Sequence, residues 1–202
     1  MTTDAAAPQF TQGNDGTELL YRVWDIPCPA GTLLITHGQA EHSACYDRLR
    51  AGIAPLNLRV IGWDLRGHGR SAGQRGYVSD FSDYTSDFDC IVRHIVSNGL
   101  ATGPLYMLGH SLGGLIQMSC ALENPHLPAA AMIFSAPFFG LSMSVPLFKR
   151  LAAVGLRAIL PRLTLRNEIR EDLLSRDSAV VAEYARDPLR HDRMSAGAFL
   201  GA

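Results

Sequence analysis

The sequence predicts an α/β fold, a mostly parallel sheet with helices packed on both of its faces. Three observations predict it. Five short runs, Leu19 to Trp24, Thr32 to Thr36, Leu58 to Trp63, Leu105 to Leu108 and Ala130 to Phe134, are four to six residues long and rich in Leu, Ile and Val, the composition of strands covered on both sides. Amphipathic stretches separate them, the rhythm of strands that cross over through helices. The third is the makeup of the chain: 202 residues, 47% apolar and 18% charged, which fits one globular domain and excludes a disordered, collagen-like or disulfide-dense chain.

Taken in chain order, the residues before Phe10 carry Asp4 and no Lys or Arg. They lack the basic head and apolar core of a signal peptide, so a cytoplasmic address is expected. The strand-like runs follow, and between the third and fourth, Phe88, Ile91, Val92, Ile95 and Val96 recur at three- and four-residue spacing with Asp87, Asp89 and Arg93 opposite. That spacing predicts a helix laid on the sheet. After Pro137 no further strand is expected, and helical spacing continues through Phe148, Leu151, Val154 and Ile159 to Pro161. We read residues 1–137 as the core and 138–202 as an inserted helical cap. The long uncharged stretch from Leu127 to Phe148 is interrupted by Pro128, Pro137, Gly140 and Pro146, which fits a strand and loop rather than a bilayer span. From Lys149 to Arg170 there are six basic residues against Glu168 alone. Such a segment is either a solvated helical face or a peripheral contact with a membrane surface.

Lys and Arg number 18 against 19 acids, a net charge of −1, so no global field draws in phosphate backbones and nucleic acid is excluded as a partner. Cys28, Cys45, Cys90 and Cys120 form no C-x-x-C and no Cys/His spacing that wraps zinc. Buried free thiols are expected, with no metal and no cofactor. His37, His42 and His68 also suggest no metal site, because no acid or thiol stands at ligand spacing from them.

The strongest local signal is the run Leu105 to Gly114, an apolar strand leading through Gly109-His110-Ser111-Leu112-Gly113 into small and apolar helix residues. A G-x-S-x-G between strand and helix is a nucleophile elbow, with glycines where side chains would clash and the serine pushed out of the turn. Leu33 to His42 is a strand running into a loop that opens His37-Gly38. An acyl transfer needs two N–H groups aimed at the developing oxyanion, and the backbones of Leu112 and Gln39 are the candidates. His37 or His42 as catalytic base runs against the order serine, acid, histidine of this architecture. Asp64-Leu65-Arg66-Gly67-His68-Gly69-Arg70-Ser71 contains a superficial G-x-G-x-x-A, yet polar loop residues follow it instead of a helix, so dinucleotide binding is rejected.

Together these motifs resemble the α/β-hydrolase superfamily, and within it the monoacylglycerol lipase and lysophospholipase group. The resemblance rests on His37-Gly38-x-x-Glu41-His42-Ser43-x-x-Tyr46, Gly67-His68-Gly69-x-Ser71-x-Gly73-x-Arg75, Val78-Ser79-Asp80-Phe81 and Gly109-His110-Ser111-x-Gly113-Gly114, with Leu173 to Arg176 and Asp187-Pro188-Leu189 in the cap. It implies a serine hydrolase acting on carboxylic esters of single-chain lipids, monoacylglycerol or lysophospholipid, without a cofactor. Ser111 is then the nucleophile and the amides of Gln39 and Leu112 the oxyanion hole. His37, Gly38 and Glu41 are implied substrate contacts. Phe138 and Phe139, with Leu141, Met143, Val145, Leu147 and Phe148, would line an acyl tunnel. Cys45 stands where these lipases typically carry Arg beside the glycerol-binding region, which leaves the headgroup open.

The resemblance also implies that later strands, with the catalytic Asp and His, lie beyond Ala202. The run Ala130 to Phe134 is therefore expected as a sheet edge with apolar surface exposed beside it. A substitute pairing of His191 with Asp187 or Asp192 competes poorly, because Asp187-Pro188 reads as a helix N-cap with proline at the first helical position. The alternative to an enzyme is a catalytically inactive fragment or binding module built on the same fold.

Overall fold

The computed structural model describes residues 6–140, 146–167 and 174–201. A six-stranded sheet is built from β1 (Gln9–Gln12), β2 (Glu18–Trp24), β3 (Gly31–Thr36), β4 (Leu58–Trp63), β5 (Leu105–His110) and β6 (Ala131–Ser135), in the order β1-β2-β4-β3-β5-β6. The pairings β4–β3, β3–β5 and β5–β6 are parallel, while β2 joins β4 and β1 joins β2 antiparallel. All five expected strands are present, within two residues at each end. β1 is an addition to them: its Gln-Phe-Thr-Gln is mostly exposed at the sheet edge, so no apolar run announces it.

Along β3 and β4 successive side chains enter opposite cores, the period-two alternation of a pleated strand. Leu34 and Ile61 join Trp63, Phe88, Ile91, Ile95, Met107 and Ile116 under α2 (Ser82–Ser97) and α3 (Leu112–Glu123). Leu33, Ile35 and Val60 pack with Trp24 against Tyr46, Leu49 and Ile53, around α1 (Asp47–Gly52). This two-sided burial is why the runs read as continuously apolar. β6 forms the other edge, with Ile133 47% exposed.

Beyond Pro137 the described elements are α4 (Leu147–Ile159), β7 (Thr164–Arg166), α5 (Ser178–Arg186), β8 (Arg193–Ser195) and α6 (Ala196–Gly201). The two short strands correct the expectation of none. They exist only through pairing Thr164 with Ser195 and its two neighbours, a contact across thirty residues that leaves no local pattern. Asp187 corrects another: it caps the C-terminus of α5 instead of opening a helix, and its Oδ1 accepts the Leu189 N–H at 2.9 Å. The N-cap of α5 is Asp177, whose carboxylate accepts from the Ala179 N–H. β8 is fastened to the loop before α2, Ser195 N–H donating to the Gly76 carbonyl at 2.8 Å and Ser195 Oγ bridging the N–H and carbonyl of Val78. The cysteines are free as expected, but only Cys120 is buried and Cys28 is exposed. Among the described residues no helix is long and apolar enough to cross a membrane.

Candidate active site

β5 ends at His110 and α3 starts at Leu112, so Ser111 alone makes the turn. It holds φ +48° and ψ −115°, a conformation that costs an L-residue about 1–3 kcal/mol and persists only where its surroundings over-determine it. They do here: the Ser111 N–H donates to the Ser135 carbonyl, and the Ser111 carbonyl accepts from the N–H groups of Gly114 and Phe138, each at 3.0 Å. A β-carbon at Gly109 would lie 2.6 Å from Gly114 Cα, and one at Gly113 would run into the carbonyl oxygens of Thr36 and His37. Backbone fills the space a side chain would need, so both positions require glycine. Ser111 itself is partly exposed, and no described residue hydrogen-bonds its hydroxyl.

The loop after β3 packs on this turn. A β-carbon on Gly38 would stand 3.2 Å from Ser111 Cβ and 3.1 Å from the His110 ring. Gln39, next in the chain, donates no backbone hydrogen bond among the described residues, and Leu112 occupies the first position of α3, where a helix N–H has no intrahelical acceptor. His37 is fully buried, its Nδ1 2.7 Å from the Gly38 carbonyl and its Nε2 accepting the Leu65 N–H at 2.9 Å. Burial lowers its pKa and keeps the ring neutral. Both ring nitrogens are committed to backbone, so this side chain holds the loop and has none free for a ligand. Glu41 Oε2 accepts from Tyr46 Oη at 2.9 Å and from the Gly38 N–H at 3.3 Å, and Oε1 lies 3.9 Å from His110 Nε2.

The Gly67-His68-Gly69 stretch braces the site from below. Asp64, buried, accepts from the Ser43 N–H at 2.8 Å, the Ser43 hydroxyl at 2.6 Å and the Arg70 N–H at 2.9 Å, which ties the loops after β3 and β4 together. The His68 ring lies 5.4 Å from that of His37 and 4.4 Å from that of His191, centroid to centroid.

Sequence reasoning misses what the segment from Asp187 to Arg193 does. It crosses the loop after β3 and grips it twice: the Gln39 side chain donates from Nε2 to the Arg193 carbonyl at 2.7 Å, and His42 Nε2 meets Asp187 Oδ2 at 2.7 Å. Burial alone would raise the Asp187 carboxyl, but the bonds from His42 and Leu189 and the charge of Arg190 outweigh it and hold it below its usual value. Asp187 is thus paired with His42, and the His191 ring packs tilted against that of His68, so neither forms the substitute pairing weighed above. His42, Cys45 and Asp187 also come together with their ligand atoms within 4.8 Å, an acid and a thiol that sequence spacing does not reveal. A cation there meets Arg190, whose Nη2 is 3.1 Å from Cys45 Sγ, and a thiol that burial pushes up to about 12. Both disfavour a metal-bound thiolate.

Between this segment and the end of β5 lies a cavity of about 320 Å³, with Glu41, Cys45, His110, Ser135, Tyr184 and Arg190 in its wall. Phe138 lies against the Ser111 turn, its N–H donating to the Ser111 carbonyl at 3.0 Å. Phe139 is 53% exposed and packs edge-on to Phe134, centroids 5.6 Å apart. Leu141, Met143 and Val145 lie outside the described residues. Leu147 and Phe148, expected in an acyl tunnel, are 71% and 69% exposed on α4.

A strand, a strained serine and a helix against a His-Gly loop define the α/β-hydrolase class, and comparison with known proteins agrees. A family model described as serine aminopeptidase, S33 matches residues 27–202, so the chain belongs to that family. It is 35% identical over 200 residues to the monoacylglycerol lipase of Mycolicibacterium smegmatis, covering 98% of this chain and 70% of that one. It is also 36% identical over 181 residues to the monoglyceride lipase of Homo sapiens, covering 87% and 57%. The crystal structure of Paleococcus ferrophilus monoacylglycerol lipase superimposes with a TM-score of 0.77 at 30% identity, covering 91% of this chain and 68% of that one. The chain therefore spans between 57% and 70% of the length of these relatives.

Proposed function

We propose that the protein is a serine hydrolase that cleaves carboxylic esters of single-chain lipids, monoacylglycerol or lysophospholipid. The observation that carries this reading is Ser111 held at φ +48° between β5 and α3 with the Gly38 backbone against its β-carbon. Ser111 Oγ attacks the acyl carbonyl and forms an acyl-enzyme, while the N–H groups of Gln39 and Leu112 take the oxyanion. Gly38 keeps the loop close enough for this, Glu41 and the cavity beside it receive the alcohol portion, and Phe138 and Phe139 meet the acyl chain. The proton of Ser111 goes to a histidine oriented by an Asp, both of which we place outside these 202 residues. Water then releases the fatty acid. The core and the cap divide at Pro137 in this reading. The cap's α4, with apolar residues on its outer face and Lys149 and Arg150 beside them, is proposed to touch a lipid surface.

The test is covalent labelling by a fluorophosphonate and hydrolysis of monoacylglycerol and lysophospholipid by the full gene product. Ser111→Ala is expected to abolish labelling and lower turnover by at least about a thousandfold. Labelling that survives the substitution refutes the nucleophile. The alternative, an inactive binding module on the same fold, predicts lipid binding without labelling in the full gene product.

A further inference from the structure

The guanidinium of Arg190 is the one charged group in the cavity beside Ser111 that the described residues leave without hydrogen-bond acceptors for most of its donors. Its side chain is 16% exposed, and Nε and Nη1 are buried without a hydrogen-bond partner. Asp187 does not serve: its Oδ2 stands 3.7 Å from Nε, beyond hydrogen-bond distance, and its two oxygens are occupied by His42 and the Leu189 N–H. Nη2 reaches only the Cys45 sulfur, a weak acceptor. The Tyr184 ring lies 3.8 Å from Arg190 Cζ and holds the guanidinium plane in place. A buried donor left unmade costs about 1–3 kcal/mol, more on a charged group, so a ligand that brings oxygen acceptors into this cavity recovers what the protein leaves unsatisfied.

We propose that this cavity binds the phosphate of a lysophospholipid headgroup through Arg190. A phosphate brings both the charge and several oxygens for the guanidinium that lines the cavity, where a neutral hydroxyl offers one acceptor and no charge. The other charged group in the wall, the acid Glu41, has its Oε2 bound by Tyr46 and Gly38 and its Oε1 beside His110. His110 adjoins Ser111, so the ester lies near the turn and the phosphate near Cys45 and Arg190. The uncharged Cys45 opens this arrangement: it leaves room beside position 45 for a guanidinium that arrives from 145 residues later.

The inference deepens the proposed function by naming a headgroup, but its test needs no ester. Isothermal titration calorimetry of the full gene product with glycerol 3-phosphate, glycerol and inorganic phosphate is compared with Arg190→Ala and Arg190→Lys, each checked for fold by circular dichroism. Glycerol 3-phosphate is expected to bind at least about tenfold more tightly than glycerol, with Arg190→Ala removing that advantage and Arg190→Lys retaining part of it. Equal affinity for glycerol and glycerol 3-phosphate, or no binding of either, overturns the proposal, and this comparison stands even if the alanine variant fails to fold. Inorganic phosphate binding as tightly as glycerol 3-phosphate overturns the headgroup in favour of a free-anion site. Ser111→Ala is expected to bind glycerol 3-phosphate like the native protein. A native protein that binds glycerol 3-phosphate but takes no fluorophosphonate label would remove the proposed mechanism and leave the anion site standing.

Discussion

The sheet with its loops, residues 31–137, and the segment from Pro146 to Gly201 are held by different forces. In the first, Leu34, Ile61 and Met107 are wholly buried and Ile35 is 1% exposed, while buried polar groups such as Asp64 are bonded by backbone donors. In the second, Leu147 and Ile159 are 71% and 78% exposed; Ala198 and Met194 join the core cluster, and the rest of the fastening is made by polar contacts, Gln39 to Arg193, His42 to Asp187 and Ser195 to Val78. The difference teaches where each region's stability resides: burial of apolar area sets the first, whereas a small apolar contact through Ala198 and Met194 and a few hydrogen bonds of about 1 kcal/mol each set the docking of the second. The second region is therefore the one that opens first.

The largest test of that contrast lies in the core. Asp87 on α2 is wholly buried and its carboxylate is met by Arg66 Nε and Nη2, while Asp15 takes the guanidinium from the solvent side. Burial raises the Asp87 carboxyl, against the pull of Arg66. Arg66→Met strands this acid in an apolar surrounding, and the expected loss is about 3–5 kcal/mol in urea unfolding, larger than any change among the contacts that fasten the second region. A loss under about 1 kcal/mol would erase the distinction between the two regions.

The same asymmetry governs how much of the molecule is legible in its amino-acid sequence. The strands β2 to β5 and α2 are legible because burial leaves a run or a period in the residues themselves, and β6 keeps an apolar run although it stands at an edge with Ile133 47% exposed. The Ser111 turn is legible for a related reason: Gly109 and Gly113 record the exclusion of side chains by nearby backbone. β1 is not, since an exposed edge imposes no composition. Neither are β7, β8 and the grip of Asp187 and Arg193 on the loop after β3, because a hydrogen bond to a backbone carbonyl, as between Gln39 and Arg193, puts no constraint on local pattern. Asp187-Pro188 misleads for the same reason. Its local pattern is that of an N-cap, and a partner 145 residues away, His42, uses the carboxylate instead.

A smaller effect probes the seam between the regions. His191 from the second packs against His68 of the first with the rings tilted by 52°, and His37 lies behind it. Burial lowers all three pKa values, His191 to about 4 from an ordinary 6.5, with Arg75 adding to the effect and Asp192 and a Gly67 backbone bond opposing it. The folded state refuses protons that the unfolded chain accepts, so this stability is complete above about pH 6.5 and is lost as pH falls from there toward 4. Urea midpoints measured from pH 7 to 4.5 are expected to fall, and His191→Gln is expected to flatten the decline. An unchanged slope in His191→Gln would mean that the seam does not sense protonation and that the rings of the core alone account for it.

The smallest effect on stability belongs to α4. Leu147, Leu151 and Val154 follow each other at helical spacing and are 71%, 62% and 55% exposed, while Ala153 on the same helix is buried. Removing an apolar side chain that is already in water takes almost nothing from the folded state, so Leu147→Ser with Leu151→Ser is expected to shift stability by no more than about 0.5 kcal/mol per site. The same pair should weaken co-sedimentation with anionic phosphatidylserine vesicles if this face meets lipid, since the area it would bury there is lost. Salt separates the two contributions: the share carried by Lys149 and Arg150 fades as the Debye length shrinks from about 10 Å at 0.1 M to 3 Å at 1 M, whereas the apolar share does not. Destabilisation by about 2 kcal/mol or more would instead reveal a packed face, and the contrast between a buried core and an open second region would have to be redrawn at α4.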